Sequence, residues 1–397
     1  MTPLAGATQD EVRRANLSFV LTLLHHRGAQ SRSQIVATTG LNRSTVGDLV
    51  SELVELGLAR ESAGVGGGVG RPSLRVEPVA EAATALALDV RVERTVAALV
   101  GLGGTVFVRR ERRHREPNEE SLLREVCEIA RQVIAEGPGV QTWVGTGVGV
   151  PGVVRTDDGL VRFAPNLGWV DVPFGARVAE ALDSTFGARR PLAVRNDADL
   201  GVLAESLRGT AVGASTVVYL SGDVGIGGGL LIDSQPLVGA GGYGGEVGHM
   251  RVNPQGLVCR CGATGCWETE VGRDALLRGT DATDIDAVLG RAGAGDASAL
   301  ESVRRVADWL GVGLVNLVNM VNPQAIVLGG HLGEVYSLQR DAVEVHLDTA
   351  LPAPREQVRV HVATLGADGT LVGAGELAFT GLLADPVGAL ARLDRAS

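Results

Sequence analysis

The chain has 397 residues, a formal net charge of −10 and 45% hydrophobic residues, enough for two or three domains that each bury a core. No apolar run approaches the roughly 20 residues that cross a bilayer, and the N-terminus lacks the basic-then-apolar pattern of a secretion signal. Four cysteines suit a reducing compartment better than a disulfide framework. We therefore expect a cytoplasmic protein with no membrane partner.

The charge is distributed unevenly along the chain. Residues 1–80 contain eight arginines and seven acidic residues, a net charge of +1, so the remainder carries −11. An acidic body disfavours nonspecific binding of nucleic acid. Any contact with DNA is therefore expected in the N-terminal segment.

The predicted head, residues 1–78, has the pattern of three helices. Apolar residues recur at helical spacing from Asn16 to Arg27, and Gly28 ends this helix. Ser31 caps a second helix that Gly40 ends. A third helix runs from about residue 42 to 56, with a buried face of Val46, Leu49, Val50 and Leu53. Two short helices joined by a glycine-containing turn are typical of a helix-turn-helix.

Polar residues at the helix starts of the head are the candidates for DNA contact, because they can reach base edges in a major groove. They are Ser33, Asn42, Arg43, Ser44 and Thr45. Two short strands around the glycine-rich segment 64–70 predict a wing, where Arg71 could enter a minor groove. The alternatives are that this segment is a simple linker and that the helices bind a protein.

The body is predicted to be an α/β fold. Residues 84–92 and 95–100 predict a β-hairpin, and residues 121–136 predict an amphipathic helix in which Cys127 is a core thiol. A later apolar strand ends at Asn196 and Asp197, and a helix follows from Ala198. Strand, polar tip and helix in this order present ligand-binding groups in α/β sheets, although the two polar residues could also be a helix cap.

A metal site is predicted where three of the four cysteines fall within eight residues. Cys259, Cys261 and Cys266, with His249 ten residues upstream, give the four soft ligands of a closed tetrahedral structural zinc site. Glycines at 262 and 265 suit a tight turn with positive φ. Inert buried thiols are the alternative, and a redox pair is disfavoured because there is no Cys-X-X-Cys.

Two carboxylates flank this metal site and predict a carbohydrate ligand. Glu246 lies three residues before His249, and Glu268 lies two after Cys266. A zinc-bound imidazole has its other nitrogen held in a fixed direction, where it can bond a ligand. Two carboxylates and an oriented imidazole suit the vicinal hydroxyls of a sugar.

The Glu-X-X-His and Cys-X-Cys-Gly-X-X-Gly-Cys-X-Glu motifs resemble the signature of the ROK (repressor, ORF, kinase) family of sugar kinases and sugar-responsive repressors. The resemblance implies a two-lobed, actin-like ATPase (sugar kinase-like) body and zinc at the four ligands named above. It implies sugar contacts from Glu246, His249 and Glu268, joined by Asn166 and Asn196. Asp197 matches the general base of the family's kinases.

The phosphate-binding motifs of the family's kinases are altered in this chain. The first hairpin turn of the kinases, Asp-X-Gly-Gly-Thr, is replaced by Asp89-Val-Arg-Val-Glu-Arg-Thr, whose bulky residues should obstruct a triphosphate. The second phosphate loop resembles the Gly-Thr-Gly-Ile-Gly-Gly-Gly of the kinases and keeps the glycines at 225 and 227–229, but Asp223 replaces the first glycine and Val224 replaces the hydroxyl residue. The added carboxylates Glu93 and Asp223 should oppose a polyphosphate.

A winged helix-turn-helix joined to a ROK body resembles the repressors of the family. Most kinases of the family lack this N-terminal domain. The expected domains are residues 1–78, a first lobe of 79–200 completed by about 378–397, and a second lobe of 201–377 with the zinc site. We expect a sugar-responsive repressor of carbohydrate-metabolism genes, not an enzyme, that binds an inverted-repeat operator as a homodimer or homotetramer. The alternative is an active sugar kinase that carries a DNA-binding head.

Overall fold

The computed structural model describes residues 8–63, 74–114, 118–139, 142–187 and 189–396. These residues form two compact units. Unit 1 lies within residues 1–148, 173–194 and 374–397, and unit 2 comprises 149–172 and 195–373. Within the described residues, no helix is both long and apolar enough to cross a membrane.

The N-terminal part of unit 1 has three helices and a small antiparallel sheet. Its elements are α1 (Gln9–Arg27), β1 (Gln30–Ser31), α2 (Arg32–Thr39), α3 (Arg43–Glu55), β2 (Ala59–Ala63) and β3 (Leu74–Pro78), with strand order β1-β3-β2. The predicted apolar faces are buried: Leu17, Val20, Leu21 and Leu24 on α1, and Val46, Leu49, Val50 and Leu53 on α3. The predicted order of helices and strand pair is confirmed in the described residues. Arg71 lies outside them.

Helix α1 begins seven residues earlier than the apolar pattern predicted. Thr8 accepts a hydrogen bond from the Glu11 backbone N–H, and the Glu11 carboxylate accepts one from the Thr8 backbone. This capping box starts the helix on polar residues that carry no apolar periodicity. Ser31 and Asn42 cap α2 and α3 as expected.

The rest of unit 1 is a five-stranded sheet with helices. Its elements are β4 (Thr84–Val90), β5 (Arg94–Gly101), β6 (Val106–Arg113), α4 (Glu119–Glu136), β7 (Trp143–Val150), α5 (Phe174–Phe186) and β11 (Leu192–Asn196), with sheet order β11-β7-β4-β5-β6. The predicted hairpin is β4 and β5, and Cys127 is buried on α4 as predicted. The last residues of β7 and β11 belong to unit 2.

Unit 2 is built on a second five-stranded sheet of order β14-β13-β12-β15-β16. Its strands are β12 (Val217–Gly222), β13 (Ile226–Ile232), β14 (Gln235–Pro236), β15 (Ala325–Gly330) and β16 (Arg359–Val362), beside a small sheet of β8 (Val153–Val154), β9 (Val161–Ala164) and β10 (Trp169–Val172). Strands β12, β15 and β16 are parallel, and β13 runs antiparallel to β12.

Helices cover the sheet of unit 2 and bury its apolar core. They are α6 (Asp197–Arg208), α7 (Trp267–Val271), α8 (Arg273–Leu277), α9 (Ile285–Gly293), α10 (Ala297–Val321), α11 (His331–Leu338), α12 (Arg340–Leu347) and α13 (Pro352–Gln357). The core packs the fully buried Trp267 among apolar residues of α10 and the central strands. Helix α10 begins at Ala297, where Asp296 caps it through the Ala299 N–H.

Two helices end the described chain. Helix α14 (Gly369–Ala384) contains the division between the units, which falls after Gly373, and α15 (Pro386–Ala396) follows Pro386. Within unit 1, α14 packs against β7, where an added methyl group at Gly147 would lie 1.9 Å from the Ala374 carbonyl oxygen. The part of α14 after Gly373 therefore packs against the first sheet.

The two units differ from the expected domain boundaries in two ways. The head does not form a unit of its own but groups with the first sheet. The lobe boundary also differs: residues 149–172 and 195–200, predicted for the first lobe, belong to unit 2, and residues 374–377, predicted for the second lobe, belong to unit 1. Hydrogen bonds explain the second difference: Arg195 donates to the Thr156 carbonyl (2.8 Å), and Asn196 donates to the Gly152 carbonyl (2.9 Å).

Candidate functional site

The predicted metal ligands converge in unit 2. The donor atoms of His249, Cys259, Cys261 and Cys266 all lie within 4.8 Å of one another. The Cys261 and Cys266 sulfurs are 3.6 Å apart, and the Cys259 sulfur is 3.7 Å from His249 Nδ1. A tetrahedral ion with metal–sulfur bonds of about 2.3 Å has edges of roughly 3.8 Å. The four residues therefore fit a tetrahedral metal ion.

The chemistry of these donors also fits a cation. Burial raises the pKa of the Cys259 and Cys266 thiols, which disfavours free thiolates. A bound cation is the partner that stabilises a buried thiolate. These two buried thiols are therefore suited to bind a metal ion and poorly suited to act as reactive free thiols.

Two glycines shape the backbone around the cysteines, as the sequence predicted. Gly262 and Gly265 have φ of +91° and +79°, which residues with a side chain rarely adopt. At Gly265 an added methyl group would also lie 1.7 Å from the Asn253 carbonyl oxygen. Neither turn can form in this way with a larger residue.

The two predicted carboxylates lie on either side of the His249 ring. Nδ1 of His249 faces the Cys259 sulfur, which makes it the metal-facing nitrogen, and Nε2 is 3.9 Å from Glu246 Oε2. Glu268 Oε1 is 3.7 Å from His249 Nδ1 and 2.8 Å from the Cys259 sulfur. Burial raises the pKa of Glu246. The structure therefore brings Glu246, His249 and Glu268 together around the metal ligands.

The glycine run 225–229, which starts just before β13 and continues into it, lies between this cluster and the start of α6. An added methyl group would lie 2.6 Å from Glu268 Oε2 at Gly225 and 3.7 Å from Asp197 Oδ1 at Gly227. Asp197 is thereby placed in the same region as Glu268. As the first residue of α6, its carboxylate is stabilised by the helix dipole.

Asn196 is the cap of α6, the alternative considered for it. Its Oδ1 accepts from the Ala198 N–H (2.8 Å), and its Nδ2 donates to the Gly152 carbonyl (2.9 Å). Both polar atoms are therefore engaged within the protein. A role in sugar binding would use the second Nδ2 hydrogen or the second Oδ1 lone pair.

Arg260 is a residue of this region that sequence reasoning missed. Its Nη1 donates a 2.6 Å hydrogen bond to Oδ1 of Asn166, the predicted sugar contact, and it lies between two of the metal-site cysteines. The Asn166 amide nitrogen then remains the donor available to a ligand. Its position in the Cys-X-Cys segment was a usable signal, but nothing local indicated a partner 94 residues away.

Asp199, on the first turn of α6, was also missed. Burial raises its pKa to about 7; the nearby Arg195 lowers it and Glu246 raises it. The same burial lowers the pKa of Arg195. Four carboxylates, Asp197, Asp199, Glu246 and Glu268, thus lie in one region of unit 2, and two of them resist ionisation.

One of the two altered phosphate motifs lies in unit 1 and the other lies in unit 2. In unit 1, the Arg91 guanidinium donates to the buried Asp89 carboxylate (2.7 Å), while the nearby Glu93 is exposed. In unit 2, Asp223 is exposed. Because exposed charges are screened by water, Glu93 and Asp223 oppose an anion less strongly than the sequence predicted.

The glycines of the second phosphate motif have packing roles that do not involve a nucleotide. An added methyl group at Gly229 would lie 2.2 Å from the Ala198 carbonyl oxygen, and at Gly228 it would lie 2.4 Å from Val247. The close approach of α6 and of the 245–249 segment to β13 requires these glycines. Their retention is therefore no sign of phosphate binding.

The predicted DNA contacts of the head lie at the starts of α2 and α3. Ser33, Asn42, Arg43 and Ser44 are exposed, and Thr45 is half-buried. Asn42 Oδ1 accepts from the Thr45 backbone (2.8 Å) and from the Ser44 hydroxyl (2.7 Å), which fixes the first turn of α3. Arg43 is the first residue of α3 and is exposed in this turn.

Residues 85–380, about three quarters of the chain, match the model of the ROK family. The chain belongs to the ROK family. Its two units, each with a five-stranded mixed sheet, have the actin-like, two-lobed α/β fold of sugar kinases that is shared by solved ROK proteins.

Curated relatives include repressors and kinases, which differ in how much of this chain they match. The xylose repressor of Bacillus subtilis is 29% identical over 84% of this chain and 86% of its own length. The glucokinase of Streptomyces coelicolor is 31% identical over 59% of this chain and 80% of its own length. The repressor match therefore includes more of the chain.

Among solved structures, a ROK family transcriptional regulator described as a homologue of the Escherichia coli Mlc protein aligns with a TM-score of 0.78. The alignment covers 97% of this chain and 99% of that chain, at 22% identity. This likeness concerns the fold, over nearly the whole length of both chains.

The raised pKa of Asp199 predicts how pH changes the stability of unit 2. Because the folded pKa is about 7 and the unperturbed value is 3.8, the folded state holds a proton that the unfolded state loses. Stability contributed by that proton is full below about pH 4 and lost as pH rises through 7. The free energy of unfolding of Asp199→Asn, relative to that of wild type, should therefore be higher at pH 8 than at pH 4. The increase should be up to about 4 kcal/mol, at 1.36 kcal/mol per pKa unit.

Urea unfolding at pH 4, 6 and 8 measures this difference. Asp286→Asn, which removes an exposed carboxylate from α9, is the matched control and should show no such trend. Parallel pH profiles for wild type and Asp199→Asn would contradict the assignment of a neutral Asp199.

Proposed function

We propose that this protein is a sugar-responsive transcriptional repressor of carbohydrate-metabolism genes that acts in the cytoplasm. The observation that carries the proposal is the combination of two features on one chain. In unit 2, carboxylates and His249 lie together around the metal ligands and suit a carbohydrate, and in unit 1, exposed polar residues begin α3 of a helix-turn-helix. The similarity to the xylose repressor of Bacillus subtilis, over 84% of this chain, supports the same function. Four unpaired cysteines fit a reducing cytoplasm.

The effector that suits this site is a neutral sugar with vicinal hydroxyls. Asp197, Glu246 and Glu268 accept hydrogen bonds from hydroxyl groups, while the Nε2–H of a metal-bound His249 donates one. The ionised carboxylates of the region would repel a phosphorylated or acidic sugar. Pentoses and hexoses are therefore the effectors to test first, with xylose suggested by the relatives.

The metal is proposed to be zinc in a structural role. Three thiolates and one imidazole complete a tetrahedral shell and leave no position for a reacting water. When bound, zinc would hold the Cys259–Cys266 turn and fix the direction in which His249 and Glu268 meet the sugar.

Phosphoryl transfer is proposed to be absent. Arg91 and its ion pair with Asp89 fill the first hairpin turn, where the family's kinases have small residues. Of the glycines that remain at 225–229, Gly228 and Gly229 are required by packing. Asp197 matches the kinase base, so an active kinase with a DNA-binding head remains the second candidate, with glucokinase relatives that match the body.

The proposed DNA complex is a homodimer or homotetramer on an inverted-repeat operator. Arg43, with Asn42, Ser44 and Thr45, would read the major groove from the first turn of α3, Ser33 would contact the backbone, and Arg71 would enter a minor groove. Half-sites would be spaced by about one helical turn or a multiple of it. Sugar binding would shift the population of arrangements that the two heads can adopt.

Replacing Arg43 tests the DNA-binding role. Arg43→Ala should weaken binding to a duplex selected from a random-sequence pool by about 5- to 150-fold, the effect of losing a base-reading contact of roughly 1–3 kcal/mol. Fluorescence anisotropy at fixed salt measures this affinity.

The charge-matched control is Arg304→Ala, which removes an exposed arginine from α10 of the body and should bind within twofold of wild type. If the wild-type protein selects no duplex from the pool, the proposed function is wrong. If Arg43→Ala binds as tightly as wild type, the head does not read DNA through α3, and a protein partner becomes the better explanation.

Removing one thiol tests the metal and its link to the sugar site. Cys261→Ser should lose zinc and weaken sugar binding together, because metal ligation stabilises the turn that holds Glu268. Elemental analysis gives zinc per chain, and calorimetric titration with xylose and glucose gives affinity. Cys127→Ser, in the core of unit 1, should change neither; unchanged sugar affinity in a zinc-free Cys261→Ser protein would refute the link.

A further inference from the structure

A buried cluster joins the DNA-binding head to the end of the chain within unit 1. Glu376 on α14 faces two histidines at the end of α1: its Oε2 is 3.1 Å from His25 Nε2 and 3.0 Å from His26 Nε2. The side chains of His25 and Glu376 are 0% and 4% exposed. The ring of Phe379, one turn further along α14, packs on His25 with centroids 4.8 Å apart.

The third contact of His25 fixes its proton. The Gly103 backbone N–H donates to His25 Nδ1 at 2.9 Å, so this nitrogen presents its lone pair. The ring proton of neutral His25 therefore resides on Nε2 and is donated to Glu376. The buried Glu376 carboxylate is satisfied because it accepts hydrogen bonds from the ring N–H groups. Removing the carboxylate would leave these buried donors without an acceptor, which costs free energy of folding.

This arrangement excludes the obvious alternative, a metal site. His25, His26 and Glu376 have the composition and closeness of metal ligands. A histidine that binds a metal through one nitrogen donates its other N–H to a neighbour. His25 does the reverse, because its other nitrogen accepts from Gly103. The cluster is thus a hydrogen-bonded clasp, a name kept below for His25, His26, Gly103 and Glu376.

The same helix also contacts the candidate sugar site. In unit 2, the Thr370 hydroxyl on the first turn of α14 donates to the Asp197 carbonyl (3.3 Å). An added methyl group at Gly373 would lie 2.1 Å from the Leu200 carbonyl oxygen, so α14 and the first turns of α6 approach closely. Helix α14 is continuous from Gly369 to Ala384. Thr370 and Glu376 are therefore about 9 Å apart along it, at 1.5 Å per residue.

We propose that α14 is the element that couples sugar binding to DNA binding: Thr370 holds its start to Asp197, and Glu376 holds its third turn to the head. A shift of α6 when a sugar binds beside Asp197 moves the start of α14. The clasp makes α1 follow the helix, because His25 is buried between Gly103, Glu376 and Phe379. This inference rests on the proposed function, since it assigns the regulation of that sugar site.

Glu376→Gln and Thr370→Val each interrupt one end of this connection. Glutamine keeps the shape of Glu376 but removes its negative charge, so the single oxygen that faces both rings becomes the weaker acceptor of a neutral amide. Valine keeps the shape of Thr370 and removes its hydrogen bond to Asp197. The matched control is Thr380→Val on the same helix, whose hydroxyl bonds only weakly, at 3.5 Å, to the Glu376 carbonyl of its own helix.

The measured quantity is the affinity for the duplex that wild type selects, without sugar, divided by the affinity for the same duplex with saturating sugar. The sugar is xylose or glucose, whichever of the two binds wild type. Couplings between sites are commonly about 5- to 150-fold. The ratio should fall to within twofold of 1 in Glu376→Gln and Thr370→Val, with sugar affinity within about threefold of wild type. Thr380→Val should keep the wild-type ratio. Wild-type ratios in both variants would overturn the proposal, and Thr370→Val decides alone if Glu376→Gln does not fold.

Hydrogen exchange on the full chain tests the clasp without DNA or sugar. Glu376→Gln should exchange the amides of α1 at least tenfold faster, with those of α10 unchanged, and Thr380→Val should match wild type. Protected α1 amides in a folded Glu376→Gln protein would refute the clasp. If wild type binds no duplex, the proposed function is wrong. The hydrogen-exchange experiment still tests the clasp in that case, because it uses neither DNA nor sugar.

Zinc content tests the tautomer argument. Wild type should carry one zinc per chain, and His26→Gln should carry the same. A second zinc that is lost in His26→Gln would show that the cluster is a metal site and would overturn the clasp.

Discussion

The site in unit 2 depends on the close approach of two backbone segments to the glycine-rich strand β13. The Ala198 carbonyl on α6 and Val247 beside His249 occupy the space that side chains at 229 and 228 would fill. This approach places Asp197 on one side of the glycine run and Glu268 on the other. Any larger residue there would separate the groups that are proposed to hold the sugar, as well as disturb the packing of the unit.

The same constraint changes how the family resemblance is interpreted. A glycine-rich loop retained from kinases would ordinarily suggest that phosphate still binds. Here each glycine from 227 to 229 is explained by a neighbouring backbone or side-chain atom within unit 2. The hairpin turn of unit 1, in contrast, has no such requirement, and it has acquired Arg91 and Glu93. Steric need thus preserves one phosphate motif while the other has diverged.

The sequence predicted the features whose residues lie close together in the chain. Three cysteines within eight residues, with positive-φ glycines between them, defined the metal turn, and apolar spacing defined the buried faces of α1 and α3. Local patterns cannot report contacts between distant segments. The Arg260–Asn166 bond spans 94 residues, and the His25–Glu376 bond spans 351. The raised pKa of Asp199 likewise arises from burial, which only the folded chain shows.

The central claim is that sugar occupancy is reported to DNA and is not used for phosphoryl transfer. One sample tests it: wild-type protein on its selected duplex, with ATP, Mg²⁺ and xylose or glucose, followed by anisotropy and by ADP formation together. The account predicts that the sugar releases the duplex while ADP stays at the level of a sample without protein. Repeated formation of ADP and sugar phosphate, with the duplex still bound, would contradict it.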